Sequence, residues 1–135
     1  MKPGLATEGE PGDEYWQEVV AQTCGQEWNA EVQLNVQNGY VSLQLALGMF
    51  PCVEPHITVG YDLVFKSAAS LQQFKVACRP YMNQVYIATF FEGNKKWNLA
   101  NGCELMGLVN VVRGFLAIAI GALDDATFHV TWNPI

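Results

Sequence analysis

The chain has little with which to hold a metal ion or follow a nucleic-acid backbone. Its four cysteines, at 24, 52, 78 and 103, include no Cys-x-x-Cys pair, so the spacing of a structural zinc site is missing. Only two histidines are present, and only seven lysines and arginines stand against thirteen acids. Residues 1–31 hold seven of those acids and the single base Lys2, which accounts for the whole net charge of −6. The rest of the chain is neutral overall. A broad phosphate-tracking surface for long nucleic acid is thereby excluded, whereas a short anion held in one local pocket is not.

Long apolar runs are lacking as well. The stretch "LMGLVNVVRGFLAIAIGAL" is interrupted by Asn110 and Arg113 and leaves ten clean residues. A spanning helix needs about 20, so this segment reads as a buried core helix and no membrane partner is expected. No basic-then-apolar leader opens the sequence, so no secretory signal is expected. The cysteines then read as reduced, buried thiols.

What the chain does have is core-forming material: half of its 135 residues are hydrophobic and 15% are charged. That suits one domain with one core. Residues 1–13, "MKPGLATEGEPGD", read as a flexible acidic tail, with the single domain over 14–135. Asp13 is placed to cap a helix over "EYWQEVVAQTC". In "EVQLNVQNGYVSLQLAL" two alternating runs flank Asn38-Gly39, which predicts a hairpin with a type I′ turn. A strand over 56–65 follows, then a helix, "SAASLQQFKVACRPYM", that Ser67 or Ser70 can cap. Strands are expected in "QVYIATFFEG" and "KWNLA", a long helix over 103–123, and a last strand in "TFHVTWN". This order predicts an α+β fold with largely antiparallel sheet.

The two histidines share a local pattern. "HITV" at 56–59 and "HVTW" at 129–132 each read His, β-branched aliphatic, Thr, within a predicted strand. Strand alternation puts His56, Thr58, Gly60 and Asp62 on one side and Ile57, Val59, Tyr61 and Leu63 on the other. The second strand sets His129 and Thr131 opposite Phe128 and Val130. One His-x-Thr is most often a structural coincidence. With six threonines in the chain, finding Thr two residues after both histidines arises by accident about once in 500 sequences. Chemistry supplies a purpose: two imidazoles can act as general base and general acid on a phosphodiester, since histidine titrates near neutral pH. Threonine hydroxyls can donate to the non-bridging oxygens where charge develops. No metal or other cofactor is needed for this.

Paired His-x-Thr strands 73 residues apart resemble the two-histidine (2H) phosphoesterase superfamily, and the chain's size is similar to the compact viral 2′,5′-phosphodiesterase branch. The resemblance implies a bilobal α+β domain in which two antiparallel sheets form a central cleft, with helices outside. It implies His56 and His129 as the acid–base pair and Thr58 and Thr131 as phosphate-binding hydroxyls. The implied substrate is 2′,5′-oligoadenylate, whose removal blocks RNase L activation and host innate immunity. A monomer in the cytoplasm, that of a host cell if the protein is viral, goes with it. Other 2H activities remain open: 2′,3′-cyclic phosphates, RNA ends, or cyclic oligonucleotide signals. So do a non-catalytic nucleotide-binding module and a cysteine-based zinc module. Tyr86, Phe90 and Trp97 are candidates for base stacking, though aromatics are more often core. Lys95-Lys96 could attract an anion, a solvated turn being the plainer role.

Overall fold

The alternation on either side of Gly39 becomes a long hairpin. β1 (Trp28–Gln37) and β2 (Tyr40–Met49) pair antiparallel along their whole length, from Trp28 opposite Met49 to Gln37 opposite Tyr40. Gly39 has φ +73, a conformation that glycine adopts without steric cost. The computed structural model describes residues 11–37, 39–52, 54–81, 94–121 and 126–133.

The other elements are α1 (Asp13–Gln22), β3 (Ile57–Phe65), α2 (Ala68–Cys78) continued by a 3₁₀ turn (Arg79–Tyr81), β4 (Lys95–Leu99), α3 (Gly102–Gly121) and β5 (Ala126–Asn133). The strands form one sheet in the order β4-β1-β2-β3-β5, and every neighbouring pair is antiparallel. The fold is therefore α+β, as expected. Both motif strands, β3 and β5, are neighbours in this one sheet. A second sheet and a cleft between two lobes are not seen among the described residues.

One sheet face carries the core. Trp28, Val32, Leu43, Leu45, Ile57, Val59, Tyr61 and Leu63 are each almost fully buried, every second residue of their strands. On α3, Leu105, Leu108, Val109, Val112, Phe115 and Leu116 recur at helical spacing and join the same core, so the apolar segment is a packed helix. No helix among the described residues is long and apolar enough to cross a membrane. Phe74 of α2 links the layers, its ring 5.8 Å from that of Phe65 in β3 and 6.0 Å from that of Phe115 in α3. Burying each such side chain stabilises the fold by about 1.5–3 kcal/mol.

The helix ends differ in part from expectation. Gly12, not Asp13, is the N-cap of α1, and it makes no side-chain capping bond. Asp13 instead pairs with Arg113 of α3, while its charge still stands at the positive end of its own helix. α3 is capped by Asn101, whose Oδ1 accepts from the amides of Cys103 (2.9 Å) and Glu104 (3.2 Å). Glu104 reaches back to the amide of Ala100 at 2.6 Å, close to a capping box. The expected strand in "QVYIATFFEG" lies outside the described residues. β4 matches "KWNLA" and pairs with β1. The cysteines depart from their reading: only Cys78 is buried, and Cys24, Cys52 and Cys103 are exposed thiols.

Candidate functional site on the open sheet face

The sheet face away from the core is almost wholly polar, and the register reads across it in rows. One row runs Asn35, Ser42, Asp62, His129. The next runs Gln33, Gln44, Gly60, Thr131, and a third runs Lys96, Glu31, Ala46, Thr58. The motif residues Thr58, His129 and Thr131 thus belong to one face, and His56 stands just before β3.

A local symmetry relates the two motifs. Val59 lies opposite Trp132, and each stands three residues after a motif histidine. In an antiparallel pair, a twofold axis normal to the sheet at that point carries "HITV" onto "HVTW". Thr131 stands opposite Gly60, which makes it a diagonal neighbour of Thr58 across the axis, at about 7–8 Å. Gly60 makes room for this. A β-carbon there would stand 2.7 Å from Thr131 Oγ1, so the hydroxyl leans over the bare strand.

The axis that gathers the threonines separates the histidines. His129 is opposite Asp62, six residues along β3 from His56. At about 3.4 Å per residue that is roughly 20 Å. The sequence reading expected the two imidazoles to face one phosphate; this sheet does not bring them together.

Each histidine has its own surroundings. His56 is half-buried at the start of β3, where its amide donates to the Leu47 carbonyl at 2.7 Å. Its Nδ1 accepts from the Met49 amide at 3.0 Å. A backbone N–H can only donate, so the neutral ring carries its proton on Nε2. His129 is exposed on β5 beside the half-buried Asp62. The Tyr40 hydroxyl donates to Asp62 Oδ1 at 2.6 Å, so tyrosine and carboxylate are joined at one end of the face, with His129 at the strand position opposite Asp62.

At the other end, beyond Thr58, Asn29, Glu31, Gly48, Lys96 and Asn98 line a recess of about 280 Å³. Lys96 Nζ stands 3.7 Å from Glu31 Oε2 there, a solvated pair worth little in water. Trp97 is not a stacking platform on this face. It stands opposite Ala30 on the core side and packs against the core. Tyr86 and Phe90 lie outside the described residues. Among the described residues no group of three or more His, Cys, Asp or Glu is placed to hold a metal ion.

The sequence reading put Asp62 on the right face but gave it no partner, and it missed Tyr40. Alternation fixes a face; only the strand register shows Tyr40 within reach of Asp62, and His129 at the position opposite Asp62. Among the described residues, fold and face together define a two-layer α+β arrangement with helices on one side of the sheet and a polar, dyad-marked surface on the other. Compared with known protein families, curated proteins and solved structures, the chain matches none.

Proposed function

We propose that the chain is a phosphodiesterase of the two-histidine type acting on 2′,5′-oligoadenylate, with Thr58 and Thr131 holding a phosphate and His56 and His129 supplying acid–base chemistry. The observation that supports it is the dyad between the motifs. Thr58 and Thr131 are diagonal neighbours across that dyad, and the Thr131 hydroxyl reaches over Gly60 toward β3, so two potential donors to a phosphate share one stretch of the face. The reading needs no cofactor. It places a monomer in the cytoplasm, where a viral protein of this kind would oppose RNase L.

The reading carries with it the two-sheet cleft of the family it resembles, in which both imidazoles face one phosphate. A second reading draws on the roughly 20 Å that the register sets between the histidines. In that arrangement one phosphate is served by one imidazole, and the face binds a short oligonucleotide without cutting it.

Incubation in EDTA with 2′,5′-linked and 3′,5′-linked triadenylate, followed by chromatography, tests the first reading. Cleavage of the 2′,5′ substrate alone, lost in both His56→Ala and His129→Ala, is the result expected. Binding without cleavage replaces it with the second reading. Cleavage only of 2′,3′-cyclic phosphates, RNA ends or cyclic oligonucleotides keeps the chemistry and discards the substrate.

A further inference from the structure

We infer that the recess at the β4 end of the polar face is a nucleobase subsite, built to take a base with an exocyclic amino group, as adenine has, in preference to its oxo counterpart. Three strands supply it. Asn98 of β4, Asn29 of β1 and Gly48 of β2 stand in one row, and Lys96, Glu31 and Ala46 in the next. Gly48 lets the loop between β2 and β3 close one end. A β-carbon there would stand 3.0 Å from the Glu54 carbonyl oxygen, and Pro55 of the same loop lines the recess. At about 280 Å³ the space lies just below the roughly 300–1,000 Å³ of small-molecule sites, so it suits one planar ring system and not a whole oligonucleotide.

The polar groups decide what fits. Of the described lining residues only Glu31 and Lys96 are charged, and they offset each other, so the recess has no net charge with which to hold a phosphate. Asn94 Nδ2 and Lys96 Nζ both approach Oε2 of Glu31, at 3.1 and 3.7 Å, which leaves Oε1 to accept. Asn29 donates through Nδ2 to the Cys52 carbonyl at 3.4 Å and keeps Oδ1 unpaired among the described residues. The Asn98 side chain has no hydrogen bond among the described residues, so its amide offers a donor and an acceptor side by side. Such an amide pairs bidentately with the amino group and ring nitrogen of adenine, and a carboxylate accepts from an exocyclic amine. An oxo group in the same place meets two carbonyl-type acceptors instead. Ala46 lies in register between Glu31 and Thr58, which are two strand spacings or about 10 Å apart, and its small side chain leaves the way between them open. Recognition of the base stands on the recess alone; that the occupant belongs to an oligoadenylate, with a phosphate at Thr58, rests on the phosphodiesterase reading.

The test is calorimetry with three probes that contain no bond to cleave. Adenosine 5′-monophosphate should bind about tenfold or more tightly than inosine 5′-monophosphate, in which an oxo group replaces the amine. It should also outbind ribose 5-phosphate, which has no base. In nitrogen-15 correlation spectra it should move the side-chain amide signals of Asn29 and Asn98. Asn98→Ala, at an exposed position of β4, should erase most of the preference for adenosine with thermal unfolding unchanged. Glu31→Gln, whose amide can turn a donor toward an oxo group, should narrow it by raising the affinity for the inosine nucleotide. Absence of binding by the adenosine nucleotide, equal affinity for the two nucleotides, equal binding of ribose 5-phosphate, or a preference that survives Asn98→Ala overturns the subsite. If 2′,5′-triadenylate is not cleaved while the adenosine preference and its loss in Asn98→Ala both hold, the phosphodiesterase reading falls and the subsite stands.

Discussion

The hydroxyl of Thr131 leans over Gly60 of the neighbouring strand, 2.7 Å from where a β-carbon of residue 60 would stand. Gly60→Ala therefore pushes that hydroxyl aside. The methyl also restricts the unfolded chain, which offsets a rotamer shift of about 0.5–1.5 kcal/mol at Thr131. Urea denaturation should find stability within about 1 kcal/mol of wild type. Binding of 2′,5′-triadenylate, measured by calorimetry, should weaken in the same variant.

The histidines should separate in their effects on folding. His56→Ala leaves the Met49 amide without its partner and should cost about 1 kcal/mol in chemical denaturation. His129→Ala removes an exposed ring and should stay within about 0.5 kcal/mol of wild type. Under the phosphodiesterase reading, both lower turnover by about 10²–10⁴-fold.

Phe74 joins the helical layer to the first motif strand through its ring contacts with Phe65 and Phe115. Phe74→Ala should destabilise by about 3–5 kcal/mol, a large share of a small domain's stability. Thermal unfolding followed by circular dichroism measures it directly.

The four thiols should react unequally. Burial pushes the Cys78 thiol from 9.0 up to about 11, so almost none is thiolate near neutral pH. Alkylation of the native protein should modify Cys24, Cys52 and Cys103 quickly and Cys78 only as the fold opens. The same shift has a sign for stability. The unfolded thiol ionises above 9.0 while the folded one resists until about 11, so its contribution holds below pH 9.0 and is lost as pH rises through that interval.

Much of this architecture was legible from alternation and turn chemistry. Asn38-Gly39 marked the β1–β2 hairpin, and the interruption of the apolar run by Asn110 and Arg113 marked α3 as a core helix. The alternation of "HITVGYDLVF" put Thr58, Gly60 and Asp62 on the face opposite Ile57 and Val59, where they are found. The cap of α3 was written in Asn101 and Glu104, at capping-box spacing, but passed over. What alternation does not encode is which strand lies beside which, and in what register. That is why Tyr40 and the separation of His56 from His129 emerged only with the sheet. Trp97 shows the same limit: its aromatic character suited a platform, and its parity in β4 turned it toward the core.

The two halves of the candidate site are unequally secured. β3, with the first motif, is paired on both sides, by β2 and β5. β5, with the second, is the last strand of the described sheet and, among the described residues, pairs with β3 alone. A strand at the rim opens at lower free energy than one in the middle, so amides around His129 should exchange with deuterium sooner than those of Val59 and Tyr61. Whatever binds this face would then be felt most at β5, as protection gained where the free protein has least.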